Sequence, residues 1–163
     1  MAVVNKYVNA NLEAGTLAIS SINGGSAQST PIAVTFEVDA GDDDGSVYRL
    51  FRINSQNSFL FFHYLNDSIT GGTDYDIGLY ETVENGGAVV DADLFLDGAS
   101  VATASTANQI KDALGTVDRA NYAKSIAEML GLTRDPNKEY DVAVTANTAG
   151  SATGTITVRA LIV

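Results

Sequence analysis

The chain has no cysteine in 163 residues and a single histidine. The first absence removes disulfides, thiolate nucleophiles and cysteine-ligated zinc together. Basic residues are scarce as well: nine Lys and Arg stand against twenty Asp and Glu, for a formal net charge of −11. Affinity for nucleic acid rests largely on neutralising phosphates, so a uniformly acidic domain is a poor nucleic-acid binder, and an anionic membrane would repel it. What the charge favours is solubility at high concentration. No apolar run approaches the length that spans a bilayer, and residues 1–15 lack the basic start and apolar core of a signal peptide. The expectation is a soluble protein made without export. Missing too are a Gly-x-Ser-x-Gly elbow, a phosphate-cradling glycine loop with its lysine, and a dinucleotide fingerprint. No cofactor is expected.

What the chain does have is period-two alternation. Tyr75, Ile77 and Leu79 fall on one face of an extended segment, and Val90, Ala92, Leu94 and Leu96 do the same after Glu84-Asn85-Gly86-Gly87. Alternation of this kind marks half-buried antiparallel strands, and Asn-Gly-Gly supplies the positive φ angles that a reversal needs. The pattern recurs at Leu17 and Ile19, at Ile32–Val38, at Tyr140–Ala146 and at Ile156–Ile162. Two segments break it. Ser46–Asn54 carries Val47, Phe51 and Ile53 on one face and Tyr48 and Leu50 on the other, while Phe59–Leu65 is apolar on both faces. A strand with two apolar faces needs a second cover. Phe59, Leu60, Phe61, Phe62, Tyr64 and Leu65 are therefore candidate interface residues, covered by the helical insert, by the N-terminal arm or by another subunit. A homo-oligomer is expected, a trimer first.

Thr106–Gly115 reads as a short capped helix. Asp118–Leu130 reads as a better one, with Tyr122, Ile126, Met129 and Leu130 at helical spacing, Asp118 as N-cap and Gly131 just past the end. The expected organisation is an N-terminal arm over residues 1–15, anchored by Tyr7, Val8 and Leu12, then one domain over 16–163 with a helical insert around 106–131. The expected fold is all-β: an antiparallel, jelly-roll-like β-sandwich of about eight strands.

Chemistry is sparse. His63 lies in the most apolar strand with no motif to supply partners, and reads as a packed or interfacial histidine. Asp39, Asp42, Asp43 and Asp44 are the candidate metal ligands, since calcium favours clustered oxygen donors. EF-hand spacing fails, however: with Asp42 first, Val47 stands where the glycine belongs and Ile53 where the bidentate Glu belongs. The segment reads as a solvated acidic turn. Asp74, Asp76, Asp91 and Asp93 are paired carboxylates of the type glycosidases use, but alternation puts them on the outward side. No catalytic residue is expected.

The run Asp74-Tyr75-Asp76-Ile77-Gly78-Leu79-Tyr80-Glu81, with Asn85-Gly86-Gly87-Ala88-Val89-Val90-Asp91-Ala92-Asp93-Leu94-Phe95 after it, resembles the head decoration, or cement, proteins of tailed bacteriophages. That resemblance implies a β-rich, non-enzymatic oligomer that binds the outside of a capsid. Its partner would be the major capsid protein, which it would bridge between capsomers. It would be made in a bacterial cytoplasm and found on the virion exterior. More weakly, the same strand resembles aspartate-rich accessory β-sandwiches of secreted bacterial proteins, which implies calcium-assisted glycan binding as the alternative.

Overall fold

Alternating apolar residues become strands where two sheets can share them. The structure, a computed structural model, describes residues 2–8, 30–105, 111–112 and 124–163. Nine strands are seen among these: β1 (Asn5–Tyr7), β2 (Thr30–Val38), β3 (Ser46–Asn54), β4 (Phe59–Asn66), β5 (Asp74–Glu81), β6 (Val89–Ala99), β7 (Lys111–Asp112), β8 (Glu139–Thr148) and β9 (Gly154–Ile162). They form a five-stranded sheet in the order β1-β3-β8-β5-β6 and a four-stranded sheet in the order β2-β9-β4-β7. Apart from β1, which runs parallel to β3, every pairing is antiparallel. From β2 onward the chain changes sheet at every connection except the β5–β6 hairpin, so that the two sheets of the sandwich are built alternately. The strand expected at Leu17 and Ile19 lies outside the described residues.

The core is the space between the sheets. Tyr48, Phe51, Ile53, Tyr75, Ile77, Leu79, Val142 and Val144 line one wall, facing Phe36, Val38, Phe59, Phe62, Ile156 and Val158 on the other. At its centre Phe59 and Phe62 stack at 4.8 Å, and Phe95 meets both edge-on at 5.3 and 5.5 Å. Such pairs contribute roughly 0.5–1.5 kcal/mol each beyond the area they bury.

The two segments that broke alternation do so because each carries a β-bulge. In β3 the register slips between Arg49 and Phe51, so that Leu50 is the extra residue. A bulge shifts the pleat by one. Tyr48, Phe51 and Ile53 thereby share the core face, whereas a regular strand would have put Tyr48 opposite the other two. In β4 the slip falls at Leu60, between Phe59 and Phe61, and brings Phe59 and Phe62 onto the same buried face.

The hairpin β5–β6 corrects the expected faces of its second strand. Leu79 pairs with Asp91 and Ile77 with Leu96, so Gly78 alone stands opposite Ala92, Asp93, Leu94 and Phe95. This wide bulge turns Phe95 fully inward, while Val90 is exposed and Ala92, Leu94 and Leu96 stay half-buried. The turn itself is as the residues predict: Gly86 and Gly87 have φ of 92° and 66°.

Of the expected helix Thr106–Gly115 only residues 111–112 are among those described. Lys111 and Asp112, placed by spacing inside a helix, are instead β7, which satisfies the free edge of β4 through Tyr64 and His63. A hydrogen-bonding edge outweighs weak helix propensity. The expected helix Asp118–Leu130 does not run continuously: Ser125 is extended at ψ 161° and caps α1 (Ile126–Met129) with a capping box to Glu128. Asp118 and Tyr122 lie outside the described residues. Gly131, at φ 68°, ends the helix as expected, with Gly131 N–H donating to Glu128 O and Leu132 N–H to Ala127 O. α1 closes one end of the sandwich: its Ile126 and Ala127 amides donate to Asn57 O and Ser55 O in the β3–β4 turn, both at 2.9 Å.

Candidate interaction surfaces

The acidic turn after β2 is tied into the fold. Lys6 Nζ lies 2.8 Å from Asp39 Oδ2 and 2.9 Å from Asp42 Oδ2. Asp42 Oδ2 also accepts from Tyr48 OH at 2.6 Å and from the Asp39 amide at 3.3 Å. Asp44 Oδ1 accepts from the Ala149 amide at 2.8 Å, and Asp43 Oδ1 from the Asp44 amide at 3.0 Å. Burial alone would raise the Asp42 carboxyl, but the Tyr48 hydroxyl and the Lys6 ammonium outweigh it and hold it below the usual range. Burial and the same contact raise the Tyr48 hydroxyl. Asp42 is only 4% exposed, so the expected solvated turn is in part a buried anchor. Among the described residues no group of three or more His, Cys, Asp or Glu side chains is arranged to hold a metal ion.

What Asp39 and Asp42 anchor is the segment Ala2–Val8. It lies along β3, with Val47 N–H donating to Val4 O at 2.8 Å and Val8 N–H to Arg49 O at 3.0 Å. The Tyr7 ring covers the Arg49 guanidinium at 5.3 Å while Tyr80 covers it at 4.9 Å. Val8 packs against the core, and Leu12 lies outside the described residues.

Arg49 is the residue that alternation did not single out. It is 0% exposed, on the outer face of the five-stranded sheet. Its nitrogens donate to Asn5 Oδ1, to the carbonyls of Glu81 and Gly87, and to Asp141 Oδ2 at 3.2 Å. Arg52, three residues on, donates to Asp141 Oδ1 and to Glu84. Burial outweighs both guanidinium groups at Asp141 and raises its carboxyl above the usual range. The signal was present in the sequence: two of its nine basic residues occur inside one otherwise apolar strand.

The paired carboxylates divide. Asp76 is buried and accepts from the Gly98 amide and from Asn147, which also reaches Asp74. Asp91 is raised above its ordinary value by burial and by the adjacent Asp93 carboxyl. Asp91 is the register partner of Leu79, and Asp93 lies in the bulge that follows it.

The candidate interface strand also divides. Phe59, Phe62 and Tyr64 point into the core, a consequence of the bulge at Leu60, and are not surface residues. Leu60, 40% exposed, and the half-buried Phe61 and Leu65 face outward with His63. The register across this outer face gives rows Pro31–Leu161–Phe61, Ala33–Arg159–His63 and Thr35–Thr157–Leu65. His63 stacks on Phe61 with centroids 5.0 Å apart and planes 12° from parallel. An imidazole laid flat on a phenyl ring serves packing.

No protein family matches the chain by sequence, and no curated protein does. The fold is similar to that of a chain from the capsid of Ralstonia phage GP4, with a TM-score of 0.65 at 10% identity, over 100% of this chain and 97% of that one. The two chains are thus alike in fold from end to end, and of closely similar size.

Proposed function

We propose that this protein is a structural component of a bacteriophage virion, one that binds the outer surface of the capsid and stabilises the shell by bridging capsomers. The observation that carries the reading is the end-to-end likeness to a capsid chain of nearly the same length. The match runs over nearly the full length of both chains and not over a part of either. The resemblance of the Asp74–Phe95 hairpin to decoration proteins supports the same reading.

Attachment, not catalysis, is the proposed activity, with the major capsid protein and further copies of this chain as partners and a trimer as the first expectation. The row Pro31–Leu161–Phe61, extended by Leu60, is the proposed apolar contact on the outer face. Several weak contacts held on one body gain from effective concentration, so modest individual affinity suffices to brace a lattice.

The test mixes purified protein with undecorated shells of its phage and measures occupancy and the temperature at which the shell opens. Saturable binding with a raised opening temperature is expected, and Leu60→Glu is expected to lower occupancy at least tenfold while the protein's own melting is little changed. Absence of binding, together with calcium-dependent retention on a glycan array, would replace this reading with the accessory-sandwich alternative.

A further inference from the structure

The edge of β3 is built as a receptor for an extended peptide, and residues 2–8 occupy it. Ala2 N–H donates to Gly41 O at 3.1 Å and Asp43 N–H to Ala2 O at 3.0 Å, before the ladder continues through Val4 and Val8. The Val4 amide donates to Ser46 Oγ at 3.2 Å. Side chains alternate into separate sockets: Lys6 between Asp39 and Asp42, Asn5 and Tyr7 on Arg49. Main-chain pairing with alternating side-chain pockets is how sheet edges recognise strands.

Every one of these bonds joins the segment to residues at least 33 positions away in sequence, and none depends on covalent continuity. Residues 9–29 separate the segment from β2. Fully extended, such a length spans about 70 Å, against a breadth of about 40 Å for a domain of this size. The contacts made within one chain and between two chains are therefore the same, and the choice rests on which segment is more concentrated at the edge. Without the segment, Arg49 would lose the Asn5 acceptor and one of its two covering rings, and Asp39 and Asp42 would lose their cation. An unfilled edge is thus an incomplete site.

We infer that the β3 edge takes residues 2–8 of a second copy of this chain when copies are assembled side by side, so that subunits are linked by exchanged N-terminal strands. The occupant is specified by charge and shape: a lysine for the Asp39–Asp42 pair, followed by an aromatic ring for Arg49. The inference concerns copies of this chain alone and stands apart from attachment to a shell.

The absence of native cysteine makes the test direct. Asn5 and Val47 are register partners, and neighbouring strands bring such Cα atoms within disulfide range. Full-length chains carrying Asn5→Cys are mixed with chains carrying Val47→Cys at high concentration and oxidised mildly, beside the Asn5→Cys/Val47→Cys double variant. Melting temperatures within a few degrees of the parent confirm folding. The expected result is a covalent dimer of one chain of each kind, with links between chains in the double variant. A double variant that closes only within single chains, with no dimer in the mixture, would overturn the inference. Thiols that close in neither way would overturn it as well, since residue 5 would then not lie on β3.

Discussion

Gly78 of β5 faces the backbone of Asp91 in β6 so closely that a Cβ on Gly78 would stand 2.1 Å from the Asp91 carbonyl oxygen. Beside it in the same sheet lies Ala143, its register partner in β8. The two small residues leave a hollow in the outer face, and the bulge of β6 folds into it. That bulge is what turns Phe95 into the aromatic core against Phe59 and Phe62.

Gly78→Ala is accordingly expected to destabilise the fold by about 3 kcal/mol, the upper range for overpacking, because the obstacle is backbone and cannot rotate aside. Urea unfolding measures it. A loss within about 0.5 kcal/mol, the range of an innocuous surface substitution, would show that the bulge does not depend on this contact.

Arg49 offers a second test. Replacing it with Met removes a buried cation and leaves the Glu81 and Gly87 carbonyls and one Asp141 oxygen without that donor. Breaking a buried pair from one side costs about 3–5 kcal/mol. Arg49→Met is expected to fall in that range, and Arg49→Lys to recover only part of it, because an ammonium cannot reach all four acceptors in one plane. Denaturant titration of the three proteins decides the order.

These two residues show where the sequence was legible. The sandwich was readable where strands are half-buried, because half-burial writes itself as alternation: Ile32 to Val38 and Ile156 to Ile162 behave so throughout. What alternation cannot convey is a bulge, since one added residue inverts the phase. Tyr48 was therefore given the wrong neighbours, and Phe95 was missed beside Leu94 and Leu96. Lys111 and Asp112 were misread for a different reason: their strand exists through its pairing to β4, a contact remote in sequence. The acidic turn was found by composition, but its partner Lys6 lies 33 residues before Asp39, beyond the reach of any local pattern.

Chelation should leave stability unchanged. Asp39, Asp42, Asp43 and Asp44 each already accept a protein hydrogen bond at one carboxylate oxygen, and an ion drawing on Asp42 Oδ2 would have to displace Lys6 and Tyr48. Thermal melts with and without EDTA are expected to coincide. A drop on chelation, restored by calcium, would show an ion bound to the folded state by mass action.

Acid and base should both release the N-terminal strand, through the two ends of one contact. The Asp42 carboxyl lies below its ordinary value when folded, so its contribution is present above about pH 3.9 and is lost as pH falls through the folded value. For Lys6, burial would lower the ammonium, but the hydrogen bonds it donates to Asp39 and Asp42 raise it overall. Its contribution is complete below about pH 10.4 and is lost as pH rises through the folded value. Asp91 and Asp141 run the other way on the acid side, since carboxyls raised in the folded state favour folding as pH falls. Whole-protein melts mix these trends, and a difference between two proteins isolates one of them. The gap in melting temperature between the parent and Lys6→Met is expected to be widest between about pH 5 and pH 9 and to shrink toward both extremes, leaving the Asp91 and Asp141 trends common to both. A gap that stayed constant from pH 2 to pH 11 would show that Lys6 stabilises the strand through packing of its aliphatic stem and not through Asp39 and Asp42.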